Sequence, residues 1–243
     1  MKKAILAVSF GTTHADAEVS CIQPVEDALR RAFPDWTVRR AWTSRIIQKR
    51  VRERGVEVEN ESEALERLQT EGYDRIVLAS THIIPGGEYE KITRAAAGLP
   101  VSAPLLADDG DLAWMAGLLG DTAREEGRPL LMMGHGSEHA ANETYARLRA
   151  KLPEGVYLAC VEGEYSLDSL MPALERLPSR ALTLAPLMLV AGDHAKNDMA
   201  GEGDSWKNRL QNLGYDVRIR LQGLGSLPAV QERFVEKVRA VIQ

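Results

Sequence analysis

Short apolar runs alternate along this chain with longer stretches in which apolar side chains recur at helical spacing. The runs predict strands at Lys3–Ser9, Thr37–Trp42, Arg75–Thr81, Val101–Leu106, Leu130–Gly134, Val156–Val161, Ala181–Leu189 and Asp216–Leu221. Between them, segments such as "ESEALERLQTEG" and "ANETYARLRAKLP" have amphipathic spacing and end at Gly or Pro, so they predict helices. Strand–helix alternation of this kind indicates an α/β fold in which helices flank parallel sheets.

The expected strands form two sets of four. "AILAVSFGTTHADAE" resembles "PLLMMGHGSEHAANE", each a strand ending in a glycine turn before a helix. "LASTHIIPGGEYE" (78–90) runs in step with "LMLVAGDHAKND" (187–198) when Gly86 is set against Gly192, which places Glu88 opposite His194. "APLLADDGDLAWM" parallels "IRLQGLGSLPAVQ" near the two ends. The pattern reads as two similar Rossmann-like halves, each a four-stranded parallel sheet flanked by helices, produced by internal duplication. The halves are expected at 1–124 and 125–243, meeting at the polar, glycine-bounded stretch "GDTAREEGRP". Ligands of open parallel sheets bind beyond the carboxyl ends of the strands. An active site is therefore expected in a cleft between the halves.

Composition narrows the function classes. A 44% hydrophobic and 27% charged content is that of an ordered globular protein. A net charge of −5 argues against a nucleic-acid partner, and 5% aromatics leave little for base stacking. The N-terminal apolar run Ala4–Val8 is too short for a signal peptide, and nothing approaches a membrane span. The expected location is cytoplasmic, with no membrane partner; a homo-oligomer is compatible with the sequence. Cys21 and Cys160 lie far apart and read as reduced, buried side chains.

The residues able to carry chemistry stand at the ends of strands: Ser9, Phe10 and Thr12, then His82, Glu88, His135, Glu162 and His194. His135 lies between two glycines, which permit a sharp turn that exposes the imidazole. His139 either faces the same way or is a solvated first-turn residue. His194 opens a long polar loop, and its neighbour Asp193 is a candidate to orient it. Glu162 follows an apolar strand, as either a proton acceptor or an ordinary surface carboxylate. Two imidazoles with one or two carboxylates suit a divalent first-row metal, although no two of them are close in sequence. The basic segment "TSRIIQKRVRERG" is either a solvated helix face or, through Arg45 and Lys49, a site for a polyanion. "AVSFG" departs from the nucleophile-elbow pattern of serine hydrolases, and "HGSEH" has its Glu in the wrong place for a zincin helix.

"VSFGT", "HIIPGGEYEKI", "MGHGSEH", "VEGEY", "PLMLVAGDHAKNDMAGEGDSWK" and "GLGSLPAV" together resemble the anaerobic sirohydrochlorin cobaltochelatase family, class II chelatases that work without ATP. The resemblance runs from residue 4 to about residue 230, and its duplicated chelatase-like architecture agrees with the repeat. It implies a lyase that inserts Co2+ into sirohydrochlorin in the anaerobic, early-cobalt route to cobalamin, within porphyrin and tetrapyrrole biosynthesis. His135, Glu162 and His194 would be the catalytic and metal-binding residues; the family's usual proline after "VEGEY" is absent here, and Glu164 gives a second carboxylate. Ser9, Phe10, Thr12, Arg45, His82 and Glu88 are expected to contact the substrate. Arg45, Lys49, Lys91 and Lys196 are candidate partners for its carboxylates. Fe2+ or Ni2+ could replace Co2+, and no nucleotide cofactor is expected, since the chain has no phosphate-binding P-loop. Two alternatives stand beside this reading: a ferrochelatase acting on sirohydrochlorin or another porphyrin, and a non-catalytic tetrapyrrole- or metal-binding protein.

Overall fold

The structure, a computed structural model, describes residues 1–242. Its strands are β1 (Lys3–Ser9), β2 (Thr37–Trp42), β3 (Arg75–Ser80), β4 (Leu130–Gly134), β5 (Val156–Cys160), β6 (Ala181–Pro186) and β7 (Asp216–Ile219). Its helices are α1 (Ala15–Ala17), α2 (Gln23–Ala32), α3 (Arg45–Arg52), α4 (Glu61–Thr70), α5 (Gly87–Ala96), α6 (Asp109–Glu126), α7 (Glu143–Arg149), α8 (Leu167–Leu174), α9 (Trp206–Asn212) and α10 (Pro228–Arg239). Among the described residues, no helix is long and apolar enough to cross a membrane.

The chain divides into two compact units. The first comprises Met1–Leu105 and the C-terminal segment from Gly225; the second is Leu106–Leu224. These borders differ from the expected halves at 1–124 and 125–243. The glycine-bounded stretch at 120–128 is not a linker, because it continues α6 to Glu126 and stops at Gly127, which adopts the left-handed cap conformation (φ 62°). Gly120 serves packing instead, since a Cβ there would come within 3.0 Å of the Pro153 ring. The start of α6 is fixed by a reciprocal cap between Asp108 and Asp111.

In the first unit a parallel sheet runs in the order β2-β1-β3. Alternation along β1 sends Ala4, Leu6 and Val8 to one face, packed with Leu65 and Leu68 of α4 and Ile92 of α5. Ile5 and Ala7 face the other way, against Leu29 of α2 and Val235 and Val238 of α10. Both faces are thus covered, as a parallel sheet requires. The expected fourth strand, Val101–Leu106, is reduced to a single bridge between Val101 and Leu78. Two bonds hold it, from the Leu78 amide to the Pro100 carbonyl and from the Ser102 amide to the Leu78 carbonyl, each 2.9 Å. Beyond them the Ser80 amide donates to the Ser102 hydroxyl, and Pro104 has no amide to extend the ladder.

The second unit has a four-stranded parallel sheet in the order β5-β4-β6-β7. Leu131 and Met133 of β4, with Leu182 and Leu184 of β6, pack against Leu167, Leu170 and Leu174 of α8 and Leu210 of α9. Counting the Val101 bridge, both units place their first strand centrally, the second on one side and the third on the other. This shared order is what a duplicated βαβ-type unit gives.

The C-terminal helix is a structural member of the first unit. Leu29 is fully buried in the cluster it forms with α10. Leu29→Ala is expected to cost about 2–5 kcal/mol, read as a lowered urea midpoint for this unit.

Candidate functional site

In the second unit, the backbone ladder continues beyond the ends of β4 and β5. The Val161 amide donates to the Gly134 carbonyl at 3.0 Å and the Glu162 amide to the His135 carbonyl at 2.9 Å. This pairing puts the first residues after two adjacent strands side by side. Gly136 turns the chain away at φ 78°, and a Cβ on it would collide with the Glu162 carbonyl oxygen. Under the turn lies Tyr145 of α7, only 3% exposed, whose hydroxyl is hydrogen-bonded by the backbone of Gly136 and His135. Burial pushes that phenol well above its ordinary value, so it stays neutral.

His194 arrives from the segment after β6 and enters a π-helical turn, Ala195–Met199. Its ring meets that of His135 edge-on, with centroids 4.6 Å apart and planes at 86°. Each imidazole has one nitrogen committed. His135 Nδ1 lies 2.7 Å from the Gly136 carbonyl oxygen, and His194 Nδ1 lies 2.6 Å from Asp198 Oδ2. A carbonyl and a carboxylate only accept, so both Nδ1 atoms carry the hydrogen and donate. In the neutral rings Nε2 is then the nitrogen with a lone pair.

Glu162 Oε2 lies 4.0 Å from His135 Nδ1, and both side chains are largely exposed. Among the described residues, no three His, Cys, Asp or Glu side chains are already gathered as a metal-holding group. The structure therefore brings His135 and His194 into contact and leaves Glu162 beside them on an open rim. His139 does not join them; its Nδ1 accepts from the Ala141 amide at 3.0 Å and caps the short turn Ala140–Asn142. Asp198, four positions on, holds His194. The signal was present in "HAKND", where an i, i+4 spacing on a helical turn puts the carboxylate on the imidazole's face.

The strand ends of the first unit hold the other expected residues, and most of these are internally satisfied. Ser9 is buried and accepts from the Thr81 hydroxyl at 2.8 Å. Thr12 is buried and accepts from the His14 amide. Phe10 remains 42% exposed. Gly11, at φ 97°, lets the chain pass against Trp42, where a Cβ would come within 2.7 Å of the indole. His82 sits between the Thr43 hydroxyl on Nε2 (3.2 Å) and the Ser80 hydroxyl on Nδ1 (3.3 Å). Burial pushes its pKa down to about 4, so it is neutral. Glu88 takes a 2.6 Å bond from Lys91, whose ammonium also reaches the Thr43 carbonyl. Burial opposes ionisation of Glu88, but the bonds from Lys91 and Thr43 outweigh it and hold the carboxyl below its ordinary value. Arg45 binds the buried Glu61 through both terminal nitrogens, at 2.9 and 2.6 Å.

Two measurements check this geometry. Gly136→Ala is expected to destabilise the second unit more than Gly155→Ala, whose Cβ would meet nothing within 4 Å. Both substitutions carry the positive-φ cost of about 1–2 kcal/mol, and only the first adds a backbone collision. Denaturant unfolding of the two variants reads the difference. For His82, the fold excludes a proton that the unfolded chain binds below its ordinary value of 6.5. Stability should therefore be full above pH 6.5 and fall by roughly 3 kcal/mol as pH drops toward 4. Urea midpoints at several pH values should show this limb, and His82→Gln should flatten it.

Comparisons with known proteins find relatives that span nearly the whole chain. The family described as cobalt chelatase (CbiK) matches residues 3–243. A protein of Salmonella typhimurium named sirohydrochlorin cobaltochelatase is 36% identical over 249 residues, covering 97% of this chain and 94% of its own. A Nitratidesulfovibrio vulgaris protein, sirohydrochlorin cobaltochelatase CbiKC, is 30% identical over 257 residues, covering 99% of this chain and 91% of its own. Among solved structures, an uncharacterized protein from Actinobacillus succinogenes aligns over 98% of this chain and 92% of its own, with a TM-score of 0.43 and 12% identity, too distant to inform function. The full-length match and the two relatives identify the chain as a metal chelatase belonging to the cobalt chelatase family.

Proposed function

We propose that this chain inserts Co2+ into sirohydrochlorin, the cobalt-insertion step of anaerobic cobalamin synthesis, with His135 and His194 delivering the ion. The observation that carries the reading is the contact between two imidazoles whose Nδ1 atoms are both engaged as donors, which leaves an Nε2 lone pair on each of two touching rings. Neutral imidazole suits a first-row divalent ion and releases it more readily than thiolate would. Glu162 stands beside His135 on the exposed rim, and rotation of its side chain completes a three-residue set around the arriving ion. Fe2+ and Ni2+ suit the same donors, so affinity alone does not select the metal.

The overall reaction exchanges one Co2+ for two pyrrole N–H protons. The ion passes from the imidazole nitrogens to the macrocycle nitrogens, and the protons leave to solvent or to nearby carboxylates. In the first unit Ser9, Thr12 and His82 are buried and hold the strand ends in place, while Glu88 and Arg45 are engaged by Lys91 and Glu61. No nucleotide is required in this scheme, because the product chelate is itself far more stable than the free ion and macrocycle.

The test is loss of the free-macrocycle absorption when Co2+ and sirohydrochlorin are mixed with protein, without ATP. His135→Ala and His194→Ala should each lower the rate at least about 100-fold, while circular dichroism stays that of the wild type. Near-wild-type turnover in either variant would remove that residue from the mechanism. Tight binding of the macrocycle with no metal insertion would favour a non-catalytic binding protein.

A further inference from the structure

The two imidazoles are held by unlike partners. His135 Nδ1 donates to a neutral backbone carbonyl, whereas His194 Nδ1 donates to the carboxylate of Asp198 at 2.6 Å. We infer that Asp198 is a positioning residue for cobalt delivery: it holds His194 in the Nδ1–H form, so that Nε2 presents its lone pair to the metal. The inference deepens the proposed cobalt site and rests on it.

Three observations support it. A free histidine prefers the opposite form, with the hydrogen on Nε2, and in that form Nε2 cannot bind a metal. Something must reverse the preference, and a carboxylate on Nδ1 does so more strongly than a carbonyl, because its bond is charge-assisted. The pair is also well exposed, with 36% of the His194 side chain and 46% of the Asp198 side chain accessible, so it stabilises the fold little. Lastly, the π-helical turn Ala195–Met199 fixes the spacing between the two residues. Gly201 locks the end of that turn: its amide donates to the Asn197 carbonyl at 3.0 Å, and a Cβ on Gly201 would collide with the same oxygen. The backbone positions from which the two side chains reach each other are therefore fixed.

The experiment uses the metal-free full chain and three variants, Asp198→Ala, Asp198→Asn and Asp198→Glu. Long-range 1H–15N spectra report which ring nitrogen of His194 carries the hydrogen. Wild type and Asp198→Glu should show it on Nδ1; the Ala variant should shift toward Nε2 and the Asn variant, whose amide oxygen still accepts, less far, with His135 unchanged as the internal reference. Titration with Co2+, followed by its visible absorption, should show affinity about 10- to 100-fold weaker in the Ala and Asn variants and largely restored in Asp198→Glu. Urea midpoints should stay at the wild-type value, which separates positioning from a structural role. An unshifted His194 form in Asp198→Ala, or unchanged Co2+ affinity beside a shifted form, would overturn the inference. The spectra need no metal, so they judge the Asp198 contact by themselves. Absence of any Co2+ response at His135 and His194 in wild type would instead refute the proposed cobalt site.

Discussion

A single backbone bond, from the Glu162 amide to the His135 carbonyl, organises the chemistry of the second unit. It extends a parallel ladder one step past the strands and so places an imidazole and a carboxylate from different strands next to each other. The step requires Gly136: its positive φ turns the chain away, and the space a side chain would take is filled by the Glu162 carbonyl. Tyr145 supports the same turn from below, keeping its backbone polar groups paired where water is excluded. With that corner fixed, His194 has only to arrive from β6, the strand on the other side of β4. Its ring then meets His135 at right angles.

The two units share a strand order and differ in what they do with the strand ends. In the first unit the polar groups there are mostly buried and bonded to one another: Ser9 with Thr81, His82 with Thr43 and Ser80, Glu88 with Lys91. Such a cluster is rigid, and it keeps a histidine neutral by burial. In the second unit the histidines are exposed and their reactive nitrogens are uncommitted to the backbone. The same strand order thus supplies one end that is internally satisfied and another whose histidines stay exposed.

Charge follows the same economy. The protein is acidic, with a net charge of −5, and many of its arginines are engaged by carboxylates. Arg45 is clamped by Glu61, Arg40 by Glu26, and Arg52 by Glu63. The basic helix α3 is therefore less of an anionic-ligand site than its composition suggests. The bidentate Arg45–Glu61 pair raises the pKa of the guanidinium and leaves it oriented by its partner.

Period-two and helical patterns determined the parallel α/β class and the position of most strands, because those features depend on local side-chain alternation, while matching glycine registers pointed to the duplication. β1, β2 and β4 begin and end where the apolar runs do. Val101–Leu106 looked like a strand since its residues are apolar, but a ladder needs amides, and Pro104 and the Ser102 side chain decide otherwise. The stretch at 120–128 looked like a linker since it is polar and flanked by glycine; packing against Pro153 and a left-handed cap make it the end of a helix. The sequence also pointed to His135, Glu162 and His194, since turn glycines and strand ends mark where side chains are presented. Only the tertiary structure decided that the two imidazoles touch, and that Asp198 holds His194. Contacts between residues far apart in sequence are fixed by strand order and register, and the direction of a neighbouring side chain is fixed by the turn it sits on; neither is carried by residue type alone.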